Sequence, residues 1–401
     1  MTASLFAAVE MAPRDPILGL NEAFNAETNP AKVNLGVGVY FGDDGKIPLL
    51  AAVKAAEKAR LETQPPRGYQ PIEGTPAYNG AVQNLLFGKD SELLAAGRAI
   101  TAQCLGGTGA LKVGADYLKR LLPESKVYIS NPSWENHRAL FESAGFTVED
   151  YAYYDAATRG VDFAGMKAAL AAMPAKSVVV LHACCHNPTG ADLNTDQWKE
   201  VVAVVKEKNL VAFIDMAYQG FADGIKQDAV ALDLFAASGL QFFVSSSFSK
   251  SFSLYGERVG ALTIVTASKD ESARVLSQVK RVIRTNYSNP PTHGGAVVAA
   301  VLSSPELRQM WEDELAGMRD RIRAMRTSLV AKLKAEGAAN FDFINVQRGM
   351  FSYTGLTAAQ VEKMRADYGI YAVGTGRICV AALNTKNIDY VAKAIAAVIK
   401  A

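Results

Sequence analysis

Five stretches of the chain are almost continuously apolar: Lys126–Ser130, Ser177–Cys184, Leu210–Asp215, Gln241–Ser246 and Gly260–Val265. Short runs this rich in Val, Ile and Phe suit strands buried on both faces. Amphipathic stretches lie between them, such as Thr195–Lys208 after the turn Asn187-Pro188-Thr189-Gly190. Strands separated by helices predict an α/β fold with a mostly parallel, doubly wound sheet. From Pro305 to Lys334, Leu, Met and Ile recur at helical spacing, which predicts one long helix. After it, Phe341–Asn345, Met350–Tyr353 and Ile378–Ala382 read as short strands among helices, the pattern of a smaller α+β domain. The first forty or so residues offer no sheet partner of their own and read as an arm plus part of that domain. The expected division is 1–45 (arm and part of the small domain), 46–305 (large domain) and 306–401 (small domain).

Composition narrows the function classes. The chain has 401 residues, 49% of them hydrophobic and 20% charged, with a net charge of +2. That length suits two or three domains. The near-neutral balance leaves no electrostatic footprint for nucleic acid or an anionic membrane. The densest basic stretch, Arg319, Arg321, Arg323 and Arg326, reads as the solvated face of a helix. Cys104, Cys184, Cys185 and Cys379 are too few for a disulfide scaffold and suit a reducing compartment. The segment from Met1 to Pro16 lacks the basic start of a secretory leader, and no apolar run is long enough for a membrane helix. A cytoplasmic protein is expected.

Two strand ends carry candidate chemistry. Asp215 closes the Leu210–Ile214 run, and Lys250 follows the Gln241–Ser246 run in Ser247-Phe248-Ser249-Lys250. In open α/β sheets ligands bind beyond the carboxyl ends of strands, so a carboxylate and an amine would meet in one crevice. Arg258 follows eight positions later, and serines beside two cations suggest phosphate recognition. Gly106-Gly107-Thr108-Gly109 leads into the helical Ala110–Leu122, where backbone N–H groups could meet an anion at the positive helix end. Neither a dinucleotide fingerprint nor a Walker loop is present. On a strand His182, Cys184 and His186 would share one face, but no second ligand pair accompanies them, and no metal is expected.

Together these motifs resemble the aspartate and aromatic amino acid aminotransferases, pyridoxal-phosphate enzymes of fold type I, over nearly the whole chain. The resemblance rests on Asn34-Leu35-Gly36-Val37-Gly38-Val39-Tyr40, Tyr69-Gln70-Pro71-Ile72-Glu73-Gly74, Gly106-Gly107-Thr108-Gly109 and Asn131-Pro132-Ser133-Trp134-Glu135-Asn136-His137. It continues through His186-Asn187-Pro188-Thr189-Gly190, Asp215-Met216-Ala217-Tyr218-Gln219-Gly220-Phe221, Ser247-Phe248-Ser249-Lys250 and Glu257-Arg258-Val259-Gly260. It ends with Arg284-Thr285-Asn286-Tyr287-Ser288-Asn289-Pro290-Pro291 and Gly376-Arg377.

The resemblance implies that Lys250 carries pyridoxal phosphate as a Schiff base and then shuttles a proton. A lysine of ordinary pKa, about 10.4, is a poor base at neutral pH, so a cationic and partly desolvated site is expected to lower it. It further implies that Asp215 pairs with the pyridine nitrogen, backed by His137. Asn187 and Tyr218 bond the ring oxygen, and Trp134 stacks on the ring. Gly107, Thr108, Ser247, Ser249 and Arg258 hold the phosphate, joined by Tyr69 from a second subunit of a homodimer. Arg377 and the Gly38 N–H bind the substrate α-carboxylate, and Arg284 of the neighbour receives a side-chain carboxylate.

Arg284 favours dicarboxylic substrates. Phe41 and Ile47 stand where dedicated aspartate enzymes of the family tend to carry polar groups, and favour a substrate ring. The expected reaction is transamination of tyrosine, phenylalanine and aspartate with 2-oxoglutarate; the alternative is a dedicated aspartate enzyme. Rival classes are a lyase or decarboxylase on the same fold, a non-enzymatic sensor and a nicotinamide dehydrogenase. The paired arginines, the lack of an appended DNA-binding module and the missing fingerprint disfavour them in turn.

Overall fold

The computed structural model describes residues 4–13, 15 and 17–400. Its frame is a seven-stranded sheet. In chain order the strands are β1 (Ala99–Leu105), β2 (Val127–Asn131), β3 (Val148–Ala152), β4 (Val178–His182), β5 (Val211–Met216), β6 (Phe242–Ser247) and β7 (Val259–Val265). Their spatial order is β1-β7-β6-β5-β4-β2-β3. Five of them match the apolar runs. The exception to the parallel expectation is β7, which runs antiparallel to both β1 and β6.

Alternation along each strand feeds two cores. On β4, Val178 and Val180 join the cluster of Leu111, Phe141 and Phe213 on one face, while Val179 and Leu181 join Trp198, Phe235 and Trp311 on the other. Helices Gly106–Leu121 and Lys269–Asn286 cover the first face. Thr195–Glu207, opened by a capping box between Asn194 and Gln197, helps cover the second. Each core buries one face of a central strand, and the two together cover both, which is why those strands read as unbroken apolar runs.

The long helix spans Pro305–Ala335, with Ser304 accepting the Leu307 N–H and Pro305 in the first turn. Arg326 corrects the expectation of a solvated face, which Arg323 alone keeps, since Arg319 and Arg321 are half-buried. Arg326 is 2% exposed and donates to the carbonyls of Ile344, Gly349 and Phe351. Arg319, Arg321 and Arg323 donate to the carbonyls of Gly220, Leu383 and Ala222. These cations satisfy carbonyls that lie outside the main sheet.

Three smaller differences concern the terminal regions. Residues Phe343–Val346 form a helical turn, where the Phe-Asp-Phe-Ile-Asn alternation suggested a strand. Strand Arg377–Cys379 pairs antiparallel with Phe351–Tyr353, and the chain then turns in a 3-10 helix over Val380–Ala382. The early segment does have a sheet partner: Val33–Asn34 pairs in parallel with Ile370–Tyr371. Among the described residues no helix is long and apolar enough to cross a membrane.

Candidate active site

The carboxyl ends of the parallel strands and the start of antiparallel β7 share one edge, because Leu105 at the end of β1 pairs with Val259. A cavity of about 720 Å³ opens there. It is lined by Gly38, Gly107, Thr108, Trp134, Asn187, Asp215, Tyr218, Ser247, Ser249, Lys250, Arg258 and Arg377, all singled out from the sequence.

Asp215, near the end of β5, is 9% exposed. Burial alone would raise its pKa. The His137 hydrogen bond and the charges of His137, His182 and Lys250 outweigh burial and hold the carboxyl below its ordinary value. His137 Nε2 lies 2.9 Å from Asp215 Oδ2, and its Nδ1 lies 2.9 Å from Ser133 Oγ. His182 lies behind at 5.0 Å between ring centres, tilted by 58°, and burial pushes it down to about 3. Asp215 Oδ1 has no hydrogen-bond partner among the described residues. The site thus offers one free oxygen of a fixed, ionised carboxylate.

Lys250 keeps partial exposure to the cavity. It is still walled in closely enough that desolvation, aided by Arg258 and Arg377 against Asp215, brings its amine down to about 8. Its Nζ sits 5.1 Å from the centre of the Tyr218 ring. Burial pushes the Tyr218 phenol well above its ordinary value, so it stays a neutral donor.

The anion cradle is built at the start of helix Gly106–Leu121. The glycines lie inside this helix rather than ahead of it. Gly106 has φ +69°, and a Cβ there would sit 2.5 Å from the Arg258 guanidinium. Arg258 itself adopts φ +54°, a left-handed conformation that non-glycine residues rarely take. Its Nη1 donates to Ser249 Oγ at 3.1 Å and to the Tyr255 carbonyl at 3.0 Å. Backbone N–H groups at a helix start, two serines and a guanidinium form a phosphate-sized donor set.

Arg377 is 1% exposed. Its Nη1 donates to Asn187 Oδ1 at 3.0 Å and its Nη2 to the Gly36 carbonyl at 2.6 Å. The guanidinium lies 4.2 Å over the Phe351 ring. Its buried Nε has no partner, and no carboxylate pairs with it among the described residues. A buried cation without a carboxylate is costly, a cost that an anion in the cavity would offset.

Tyr69 and Arg284 lie outside this cavity; Tyr69 is 96% exposed and Arg284 is also on the surface. Phe41 and Ile47 do not line it either. Sequence reasoning missed Asp15, Ile17, Glu135, Asn136, Tyr255 and Phe351, which do. Tyr255 stood within the quoted Arg258 stretch and Glu135 and Asn136 within the Trp134 motif, whereas nothing local marked Asp15 or Ile17. The Cys184-Cys185-His186 run disperses. Cys184 and Cys185 lie by Asp228, whose carboxylate accepts the N–H groups of Gly220, Ala222, Asp223 and Gly224. Burial pushes Cys185 up to about 12.

The family model of class I and II aminotransferases matches residues 30–395. The chain belongs to the class I and II aminotransferases. This aminotransferase is 69% identical to a protein named aspartate aminotransferase from Pseudomonas aeruginosa, over 99% of this chain and 100% of that one. It is 51% identical to one named aromatic-amino-acid aminotransferase from Escherichia coli, over 98% and 100%. Among solved structures it resembles an aromatic-amino-acid aminotransferase from Burkholderia pseudomallei covalently bound to pyridoxal phosphate. That match has a TM-score of 0.96 and 70% identity, covering 99% of this chain and 100% of the other.

The residues of this aminotransferase fit that cofactor. The free Asp215 oxygen suits a protonated ring nitrogen, the Gly106–Gly107 cradle suits a phosphate, and the lowered Lys250 amine suits a bond to an aldehyde carbon.

Proposed function

We propose that this aminotransferase moves the amino group of aspartate, phenylalanine and tyrosine to 2-oxoglutarate, with pyridoxal phosphate carried on Lys250. The observation that carries the reading is Arg377, a buried guanidinium without a carboxylate, in one cavity with Lys250. Bound pyridoxal phosphate supplies the electron sink for the charge left at the substrate Cα. Asp215 holds the ring nitrogen protonated, with His137 fixing the carboxylate. Asn187 and Tyr218 bond the ring oxygen, and Trp134 packs on the ring. Gly107, Thr108, Ser247, Ser249 and Arg258 hold the phosphate. Arg377 orients the α-carboxylate, assisted by the Gly38 N–H. Lys250 Nζ takes the proton from Cα, since at about pKa 8 a useful share of the amine is neutral near pH 7.

The enzyme works as a homodimer. The exposure of Tyr69 and Arg284, outside the cavity of a single chain, supports their acting in the partner's site. Leu5, Phe6, Met11, Leu49 and Leu61 are also exposed, apolar area that a subunit interface would cover. Residues 1–45 supply an arm and part of the small domain, 306–401 the rest of it, and 46–305 the large domain; the pairing of 33–34 with 370–371 supports this division. Four buried, free thiols support a cytoplasmic location.

Phe41 and Ile47 support aromatic substrates, and Arg284 supports aspartate. The dedicated aspartate reading keeps its standing because neither Phe41 nor Ile47 reaches the single-chain cavity. The test is absorbance of the lysine-linked cofactor on adding aspartate or phenylalanine without an oxo acid. Conversion by both supports the dual pocket. Conversion by aspartate alone selects the dedicated enzyme, and no conversion by either refutes transamination.

A further inference from the structure

The turn between β6 and β7 carries Lys250 and Arg258, and it also holds the segment around Gly38, which lines the cavity. The Tyr40 N–H donates to Tyr255 Oη at 2.9 Å, joining residues 215 positions apart. Among the described residues this is the only hydrogen bond between residues 247–258 and residues 36–41. The Tyr255 ring lines the cavity, and its carbonyl accepts from Arg258 Nη1.

What the bond holds is the Gly36–Tyr40 segment. Gly36 offers the carbonyl that fixes Arg377 Nη2, and Gly38 lines the cavity. A Cβ at Gly38 would sit 2.7 Å from the Phe351 ring, so this backbone passes tightly over the side chain on which Arg377 lies. On its other side the segment is sewn to the chain near Arg377. The Leu35 carbonyl accepts the Cys379 N–H at 2.7 Å, and the Phe41 N–H donates to the Ala381 carbonyl at 3.1 Å. The Arg321 guanidinium lies 5.4 Å from the centre of the Tyr40 ring. The segment is therefore bonded to the Arg377 strand on one side and to the Lys250 turn through one phenol oxygen on the other. Burial keeps that phenol neutral, and its proton has no acceptor among the described residues.

We propose that Tyr255 is a positioning residue for substrate binding: its hydroxyl sets the Gly36–Tyr40 segment, and through the Gly36 carbonyl the Arg377 guanidinium, against the turn that carries Lys250 and Arg258. The proposal rests on the reading of Arg377 as the carboxylate site. It assigns Tyr255 a share in KM without a part in proton transfer.

The test is Tyr255→Phe in the holoenzyme, which keeps the ring and leaves the Tyr40 N–H without its acceptor. KM for aspartate and for phenylalanine should rise about tenfold, the effect of one unpaired buried donor. Turnover should stay within about threefold, since Lys250 and Asp215 are untouched. The dissociation constant of succinate, read from the cofactor absorbance, should rise in parallel with KM. An unchanged KM overturns the proposal, even with a lowered Tm, and so does a fall in kcat at constant KM. Failure of the wild-type enzyme to bind succinate would instead refute the reading of Arg377. Should the variant give too little folded protein, amide exchange on the wild-type holoenzyme decides. Protection of the Tyr40 N–H supports the bond, and exchange at the rate of an open loop overturns it.

Discussion

Lys250 titrates near pKa 8 rather than at the ordinary 10.5, with loss of solvent as the main cause and the Arg258 and Arg377 charges adding to it. Only the neutral amine would have the lone pair to bond the aldehyde carbon of pyridoxal phosphate, with the aldehyde oxygen leaving as water. At pH 7 an amine of pKa about 8 is roughly 10% neutral, whereas one of pKa about 10.5 is roughly 0.03% neutral. The site therefore raises the reactive form about 300-fold. The assay mixes cofactor-free enzyme with pyridoxal phosphate at a series of pH values and follows absorbance. The rate should climb about tenfold per pH unit up to pH 8 and level off above it. A climb that continues unchanged to pH 10 would refute the reasoning, because the amine would then be solvated as in water. The same shift has a stability consequence with a definite sign. The unfolded chain binds a proton at Lys250 that the folded chain has released between about pH 8 and 10.5, so the cofactor-free protein gains stability as pH rises through that window.

Three further outcomes follow from the geometry. Lys250→Ala should lower the rate of the first half-reaction by about 10³-fold or more, measured by stopped-flow absorbance with aspartate, because the cavity then lacks the amine that takes the Cα proton. Gly260→Ala would place a Cβ 2.3 Å from the Gly106 carbonyl carbon, a backbone atom that cannot swing aside. It should cost about 3 kcal/mol in urea unfolding and weaken cofactor retention, read by dialysis and absorbance. Arg326→Met keeps much of the volume but strands the carbonyls of Ile344, Gly349 and Phe351, and should also cost about 3 kcal/mol in the same unfolding experiment.

The central strands were legible because burial on both faces leaves no polar position to interrupt them. Strand β1 escaped notice for the opposite reason. Thr101 and Gln103 break its apolar run, and both are spent on internal bonds, Thr101 with Thr263 and Gln103 with the Pro291 carbonyl. The reversed direction of β7 has no signature in its own residues. Charge misled at Arg326, since the carbonyls that receive it lie 18 to 25 positions away. At the site, Asp215, Ser247 and the glycine turn were identified, whereas His182, which ends β4 and lines the cavity, was weighed only as a metal ligand. Tyr255 and Phe351 were not identified, because their place depends on packing between distant segments. Tyr69 and Arg284 were singled out from motif alone, and their exposure shows why no crevice in one chain explains them.

The neighbours β1 and β7 are paired from Ala99–Val265 to Leu105–Val259, so more than a third of the chain lies between them. The glycine cradle ends one of these strands and Arg258 begins the other. On the ribosome, the first half of the chain emerges with a helix start but no guanidinium facing it. The grip on phosphate arises only when β7 inserts, reversed, between β1 and β6, a long-range closure of the slow kind. Cofactor capture thus acts as a seal on correct assembly: a chain that has threaded β7 wrongly, or not yet, has nowhere to keep it.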